Sequence, residues 1–261
     1  MARSTRRPPA PSPIEELVQL AIDLDLTTLA AKLPEILDEA ERKGSSFTEF
    51  GLALFRAEIE ARNNRRLARG LKRSRLGEVE GLDGFKFALR PQLNPRVVRE
   101  LHNGRYVEEK RNIICLGRPG LGKTRIAKAI VHAACVAGHS VLCVVTAAML
   151  HDLRSSHADG TYKRALGRYV KPAVLLLDEF GYEDFDKKDT NYIFRVVAAR
   201  HRSGSIVLTS NTGFKNWAKL FPTEAMAIAT VDRLVDRATI LRFTGKSFRE
   251  PKEIVGAPLE D

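Results

Sequence analysis

The segment Gly117-Arg118-Pro119-Gly120-Leu121-Gly122-Lys123-Thr124 constrains this chain more than any other. It follows a short apolar run, 112–116, that reads as a buried strand. It opens 123–137, whose apolar spacing is that of a helix ended by Gly138. A glycine-rich turn between strand and helix lets backbone N–H groups close around phosphate oxygens, because no Cβ stands in the way. The helix N-terminus adds a dipole that favours an anion. In such a turn Lys123 reaches the β- and γ-phosphates and the Thr124 hydroxyl takes Mg²⁺. Gly117 through Thr124, with the adjoining Arg125, therefore form a candidate nucleotide-binding loop.

Beyond this turn the chain alternates between apolar runs of strand length and segments with helical spacing. That alternation is the pattern of an α/β fold, a parallel sheet with helices on both faces. Residues 141–145, 174–177, 206–209 and 240–243 read as strands; 147–153, 161–169, 188–202 and 224–237 read as helices, the third of these closed by Ser203-Gly204. The 174–177 strand delivers Asp178 and Glu179. Asp178 is the candidate Mg²⁺ carboxylate, and Glu179 lies next to where water must attack a γ-phosphate. A glutamate here argues for hydrolysis over transfer to a second substrate. The 206–209 strand ends in Thr209-Ser210-Asn211. In a sheet of this type Asn211 comes beside Asp178, where it holds the attacking water or a γ-oxygen, or simply forms a turn. Arg233 and Arg237, four residues apart, share one helix face. Either is a finger supplied in trans to a neighbour's ATP, or the pair is tied up within the helix by Asp232 or Asp236.

The first half is different. Residues 1–13 hold Arg3, Arg6, Arg7 and four prolines without an apolar stretch, and read as a disordered basic tail, not a secretory signal. Segments 14–24 and 28–37 have helical spacing, with Thr27 or Thr28 as cap of the second. Ser45 or Ser46 precedes a long helical pattern from 47 to about 75, with Phe50, Leu54, Phe55 and Ile59 on its apolar face. Further along, Arg62, Arg65, Arg66, Arg69 and Arg73 follow the spacing i, i+3, i+4, i+7, i+11, so they project from one side. With Lys72 and Arg75 they make seven basic side chains and no acidic one over 62–75. That is either a solvated face or, given the like-charge crowding, a face meant for a counter-anion. Residues 77–95, with three glycines and two prolines, read as a loop-rich junction. The expected organisation is a tail over 1–13, a helical domain over 14–76, a linker and entry to the ATPase core over 77–111, the ATPase domain over 112–250 and a tail over 251–261.

Composition narrows the partners. Apolar residues are 44% and charged residues 29% of the chain, enough to bury a core and too ordered a mixture for wholesale disorder. No apolar run is long enough to cross a membrane. Three cysteines, odd in number and without a Cys-x-x-Cys pair, point to reduced buried thiols, a cytoplasmic setting and no zinc site. The net charge of +11 points to a polyanionic partner.

Taken in order, the glycine-rich loop, Leu-Leu-Leu-Asp-Glu-Phe-Gly-Tyr at 175–182, Thr-Ser-Asn at 209–211, Asn216-Trp217, Asp232-Arg233-Leu234 and Gly-Lys-Ser-Phe-Arg at 245–249 resemble the IstB-type transposition helpers, AAA+ ATPases encoded by insertion sequences and similar to the DnaC helicase loader. The likeness runs from about residue 25 to residue 250. Arg118 and Leu121 stand where small or polar residues are usual, and Phe248 replaces the usual tyrosine. The resemblance implies an AAA+ P-loop sheet sandwiched by helices, behind a small all-helical N-terminal domain. It implies ATP and Mg²⁺ as cofactors, assembly into a ring or helical homo-oligomer on duplex DNA, and a transposase partner. It makes Arg237 the favoured finger, gives Arg249 the look of a γ-phosphate sensor, and marks the 62–73 face as DNA-binding. Lys163, Arg164 and Arg168, with Arg154, form a second basic set in a segment that faces nucleic acid in related initiator-type ATPases. The alternatives are a DnaC-type helicase loader, whose N-terminal half grips a helicase, and a module that holds ATP without turning it over.

Overall fold

The computed structural model describes residues 11–182 and 185–248. Most of the expected basic tail, the 251–261 tail and Arg249 lie outside them. The chain divides into two compact units, 1–68 and 69–261.

In the first unit, α1 (Pro13–Asp23) starts at a capping box: Ser12 Oγ accepts the Glu15 N–H, and the Glu15 carboxylate accepts the Ser12 N–H. Helix therefore begins inside the stretch expected to be tail. The second helix, α2 (Thr27–Lys43), runs six residues past its expected end at 37 and stops at Gly44, which adopts the left-handed conformation that closes helices. Neither Thr27 nor Thr28 caps it; Leu26 holds that position without a side-chain bond. The Thr28 hydroxyl instead accepts Arg65 Nη1 at 2.6 Å. The third helix, α3 (Phe47–Ser74), begins at a second capping box between Ser46 and Glu49. Its expected apolar face is only half covered. Phe50 and Leu54 are partly buried, but Phe55 and Ile59 are exposed.

The second unit begins within α3. Leu71 and Leu76 pack into its core, and a Cβ at Gly70 would lie 3.4 Å from Cys135 Sγ. That packing puts the boundary eight residues before the expected one. The expected linker 77–111 belongs to this unit too. It contains α4 (Pro95–His102), whose first turn has Pro95 and an Asn94 side-chain cap, and α5 (Arg105–Glu108). Val98, Leu101, Tyr106 and Val107 are at most 2% exposed. The segment is core.

The parallel sheet has five strands: β1 (Ile113–Gly117), β2 (Val141–Val145), β3 (Val174–Asp178), β4 (Ser205–Ser210) and β5 (Thr239–Phe243). Their order is β2-β3-β4-β1-β5. Alternate residues serve two cores. Ile113, Cys115, Cys143, Leu176 and Val207 face one, shared with α4 and α6 (Lys123–Val136); Ile114, Leu142, Leu175, Leu177 and Leu208 face the other. That second face is covered by α7 (Thr146–Ala158), α8 (Tyr162–Val170), α9 (Lys187–Arg200), the short α10 (Phe214–Trp217) and α11 (Glu224–Val235). All three cysteines are buried and free, and burial pushes the Cys115 thiol up to about 12 and Cys143 up to about 11. Among the described residues no helix is long and apolar enough to cross a membrane.

Because β4 lies between β1 and β3, the carboxyl ends of these three strands are neighbours. Ligands of open α/β sheets bind outside these ends. The topology thus gathers the glycine-rich loop after β1, the carboxylates at the end of β3 and Asn211 after β4.

Candidate active site at the carboxyl ends of the strands

A cleft of about 1080 Å³ opens there, lined by Pro119 to Thr124, Glu179, Thr209 and Asn211 and by the apolar Phe85, Leu89 and Phe248. The loop's glycines answer a steric demand. A Cβ at Gly117 would fall 2.3 Å from the Phe243 carbonyl oxygen of β5, and one at Gly122, with φ 89°, would fall 2.7 Å from the Phe85 ring.

Lys123 is 6% exposed. Its ammonium donates to the Arg118 carbonyl at 2.8 Å and to Asn211 Oδ1 at 2.7 Å. The Thr124 hydroxyl donates to Asp178 Oδ1 at 3.0 Å. Glu179 is exposed at the cleft, in the left-handed region with φ 57°, which costs a non-glycine residue about 1–2 kcal/mol. The turn it starts is held from β4. The Phe180 N–H donates to the Thr209 carbonyl at 2.8 Å. Ser210 Oγ donates to the Phe180 carbonyl at 2.7 Å and accepts the indole N–H of the fully buried Trp217 at 3.2 Å.

Arg118 contributes its carbonyl, not its guanidinium, to the bonds around Lys123. Arg125 also lines the cleft. Its guanidinium pairs with Glu80 at 2.7 Å and donates to the Gly81 and Asp83 carbonyls, tying down the 80–85 segment that walls the cleft. Arg90, which sequence reasoning missed, is 1% exposed and donates to the Leu121 carbonyl of the loop at 2.9 Å. The Phe248 ring lies 3.9 Å from its guanidinium, and the Phe248 N–H donates to the Gly120 carbonyl at 2.8 Å. These contacts use the ring and the backbone, so they need no tyrosine hydroxyl. No local pattern marks Arg90, whose partner lies 31 positions away.

The two candidate fingers do not share a helix face. α11 ends at Val235, and Arg237 follows it in the left-handed conformation, exposed. Arg233 is held by its own helix, donating to the Ala229 carbonyl at 2.7 Å and lying 5.2 Å from the Phe194 ring. The expected pairing with Asp236 does not form either. Asp236 takes His201 at 2.7 Å and Arg202 at 3.2 Å, and these bonds, His201 first, hold its carboxyl below the usual range.

The basic face of α3 has an internal counter-anion that the sequence spacing hid. Glu58, one and two turns earlier, accepts Arg62 at 2.7 Å and Arg65 at 3.1 Å. The Arg62 bond, with Arg65 beside it, holds the Glu58 carboxyl below its ordinary range. Arg66, Arg69, Lys72 and Arg73 are exposed. In the second basic set Arg168 pairs with Asp152 and Arg154 with Asp189, while Lys163 and Arg164 are exposed.

Sheet order, loop and strand-end carboxylates define an AAA+ P-loop protein. The crystal structure of the DnaC helicase loader superposes with a TM-score of 0.51 at 18% identity, covering 66% of this chain and 97% of that one. That of DnaI gives 0.51 at 21% identity, covering 57% and 84%. Residues 19–254 match the family described as IstB-like ATP binding protein, and the chain belongs to it. Relatives include the protein named for ATP binding in insertion sequence IS21 of Pseudomonas aeruginosa, 34% identical over 90% of this chain and 89% of its own length. The corresponding protein of insertion sequence IS5376 of Geobacillus stearothermophilus is 32% identical over 87% and 90%.

Proposed function

We propose that this chain is an ATP-hydrolysing, DNA-binding AAA+ protein that assembles on duplex DNA and assists the transposase of its insertion sequence. One observation carries the ATPase reading: Lys123, Thr124, Glu179 and Asn211, from three separate strand ends, line one cleft, with Asp178 bonded to Thr124. Family membership, and relatives named for ATP binding in insertion sequences, support the rest. The cytoplasm is the setting this implies.

In this reading Lys123 exchanges its carbonyl and amide partners for phosphate oxygens. Asn211 Oδ1 accepts the Lys123 ammonium in the structure, so its amide N–H groups are the donors available to a γ-oxygen or the attacking water. The Thr124 hydroxyl spends its one proton on Asp178, so its lone pairs face outward. Thr124 and Asp178 are hard oxygen donors of the kind Mg²⁺ takes. When bound there, Mg²⁺ would neutralise charge on the β- and γ-oxygens. Glu179 orients or deprotonates water. Phe85, Leu89 and Phe248 supply an apolar wall for the base.

The test is ATP turnover with and without linear duplex DNA, joined to light scattering for assembly and DNA affinity against salt. Magnesium-dependent turnover and growth in mass on DNA are expected. So is a salt slope that falls by about 0.9 for each phosphate contact removed when Arg66, Arg69 and Arg73 are changed to alanine. A protein that stays monomeric with ATP and DNA, or binds DNA with no salt dependence, sinks the assembly reading.

The exposed Arg237 is the finger this proposal selects. Arg237→Ala is expected to slow turnover by about 10³, while Arg233→Ala, which loses only a bond to its own helix, stays within a few-fold. Mixing Arg237→Ala with Lys123→Ala chains should restore turnover, since each supplies what the other lacks. Failure of the mixture to recover activity rejects action in trans.

A further inference from the structure

Thr209 occupies a position that the chemistry above leaves unexplained. It is 1% exposed near the end of β4, with its hydroxyl between Asp178, the last residue of β3, and Glu179, the residue after it. The hydroxyl donates to Asp178 Oδ1 and accepts the main-chain N–H of Glu179 at 3.1 Å. This polarity is forced. A carboxylate only accepts and a backbone N–H only donates, so the hydroxyl proton has one destination. The same Asp178 oxygen takes the Thr124 proton, so hydroxyls from two different elements fix one edge of that carboxylate. On the other side, Glu179 is a non-glycine residue in left-handed backbone, and the Thr209 hydroxyl and carbonyl together hold the N–H groups of Glu179 and Phe180.

We propose that Thr209 is a positioning residue of the hydrolytic site. Its hydroxyl registers the Asp178 carboxylate against the main chain of Glu179, so that the cation-side oxygen and the water-side carboxylate are set by a single atom. This rests on the proposed ATPase reading and adds a residue to it. A strand needs only a β-branched side chain here, and valine would meet that need with the same shape. What valine lacks is the hydroxyl that reaches both neighbours.

The experiment compares Thr209→Val and Thr209→Ser in the full chain, measuring ATP turnover against Mg²⁺ concentration and, separately, binding of a fluorescent ATP analogue in EDTA. Outer partners of metal ligands typically change activity or metal affinity about 10–100-fold. Thr209→Val is therefore expected to lower kcat by about 10–100-fold and to raise the Mg²⁺ needed for half-maximal rate, with metal-free nucleotide binding held within a few-fold. Thr209→Ser should recover most of the loss. Thr209→Ala against Thr209→Ser differs in the hydroxyl alone and carries the same comparison if the valine variant does not fold. Wild-type kcat and Mg²⁺ response in Thr209→Val, or a serine variant no better than alanine, overturns this proposal. Absence of turnover in the unaltered chain overturns the ATPase reading itself.

Discussion

Replacing Glu179 by glutamine is expected to cut ATP turnover by about 10²–10⁴, equivalent to about 3–5 kcal/mol of barrier, and to leave nucleotide affinity nearly unchanged. The substitution keeps size and hydrogen-bonding reach but removes the proton acceptor. Glu179 is exposed to the cleft and takes no part in the hydrogen bonds that organise it through its side chain among the described residues. The bonds that fix the turn run through its main chain, which glutamine retains. Single-turnover phosphate release, read beside analogue binding, checks this. Unchanged release would remove hydrolysis from the protein's task and leave a nucleotide-holding module.

The second large effect concerns stability and lies at the opposite end of the sheet. Arg200, at the end of α9, is 1% exposed and donates to five carbonyls: Tyr169, Val170 and Pro172 through Nη1, and Ala173 and Ser205 through Nη2, at 2.7–3.2 Å. It joins the C-terminal end of α8, where a cation suits the helix dipole, to the starts of β3 and β4. Burial pushes its guanidinium down to about 10, so it stays charged at neutral pH. Gly204 makes room for it, since a Cβ there would lie 2.8 Å from Nη2.

An orphaned buried acceptor costs about 1–3 kcal/mol. Arg200→Leu strands several at once, so even with partial re-pairing a loss of about 3–5 kcal/mol is expected. That is a large share of the roughly 5–15 kcal/mol a domain has. Arg200→Lys should recover little, because a single ammonium cannot span the fork. Urea unfolding is the measurement; a shift below about 0.5 kcal/mol, the range of an ordinary surface substitution, would show the cage to be incidental.

Several misreadings share one cause. The helix α4 begins with Asn94-Pro95, a legible start signal, yet its eight residues are too few for periodicity to stand out from the glycines and prolines before it. Its place in the core follows from what it covers. The partners of Arg62 and Arg65 also lie outside the basic run: both pair with Glu58, and Arg65 donates to Thr28, 37 positions away. Arg233 and Arg237 seemed to share a face because the spacing was right, but the chain leaves the helix between them. Arg125 adjoins the loop in sequence, and the partners of its guanidinium lie more than 40 positions back.

What the sequence determined by itself was local chemistry. A glycine pattern followed by lysine and threonine, an apolar run ending in two carboxylates, and another ending in a polar triplet each announce themselves within ten residues, because strand burial and phosphate binding impose composition on short windows. Tertiary structure alone decided which of those residues are held and by what. The hydroxyl of Thr209, the guanidinium of Arg90 and, apart from the nearby Ser205 carbonyl, the cage around Arg200 are defined by partners 27 to 31 positions distant. A polar side chain's role depends on the groups it meets after burial, and no spacing along the chain records that meeting.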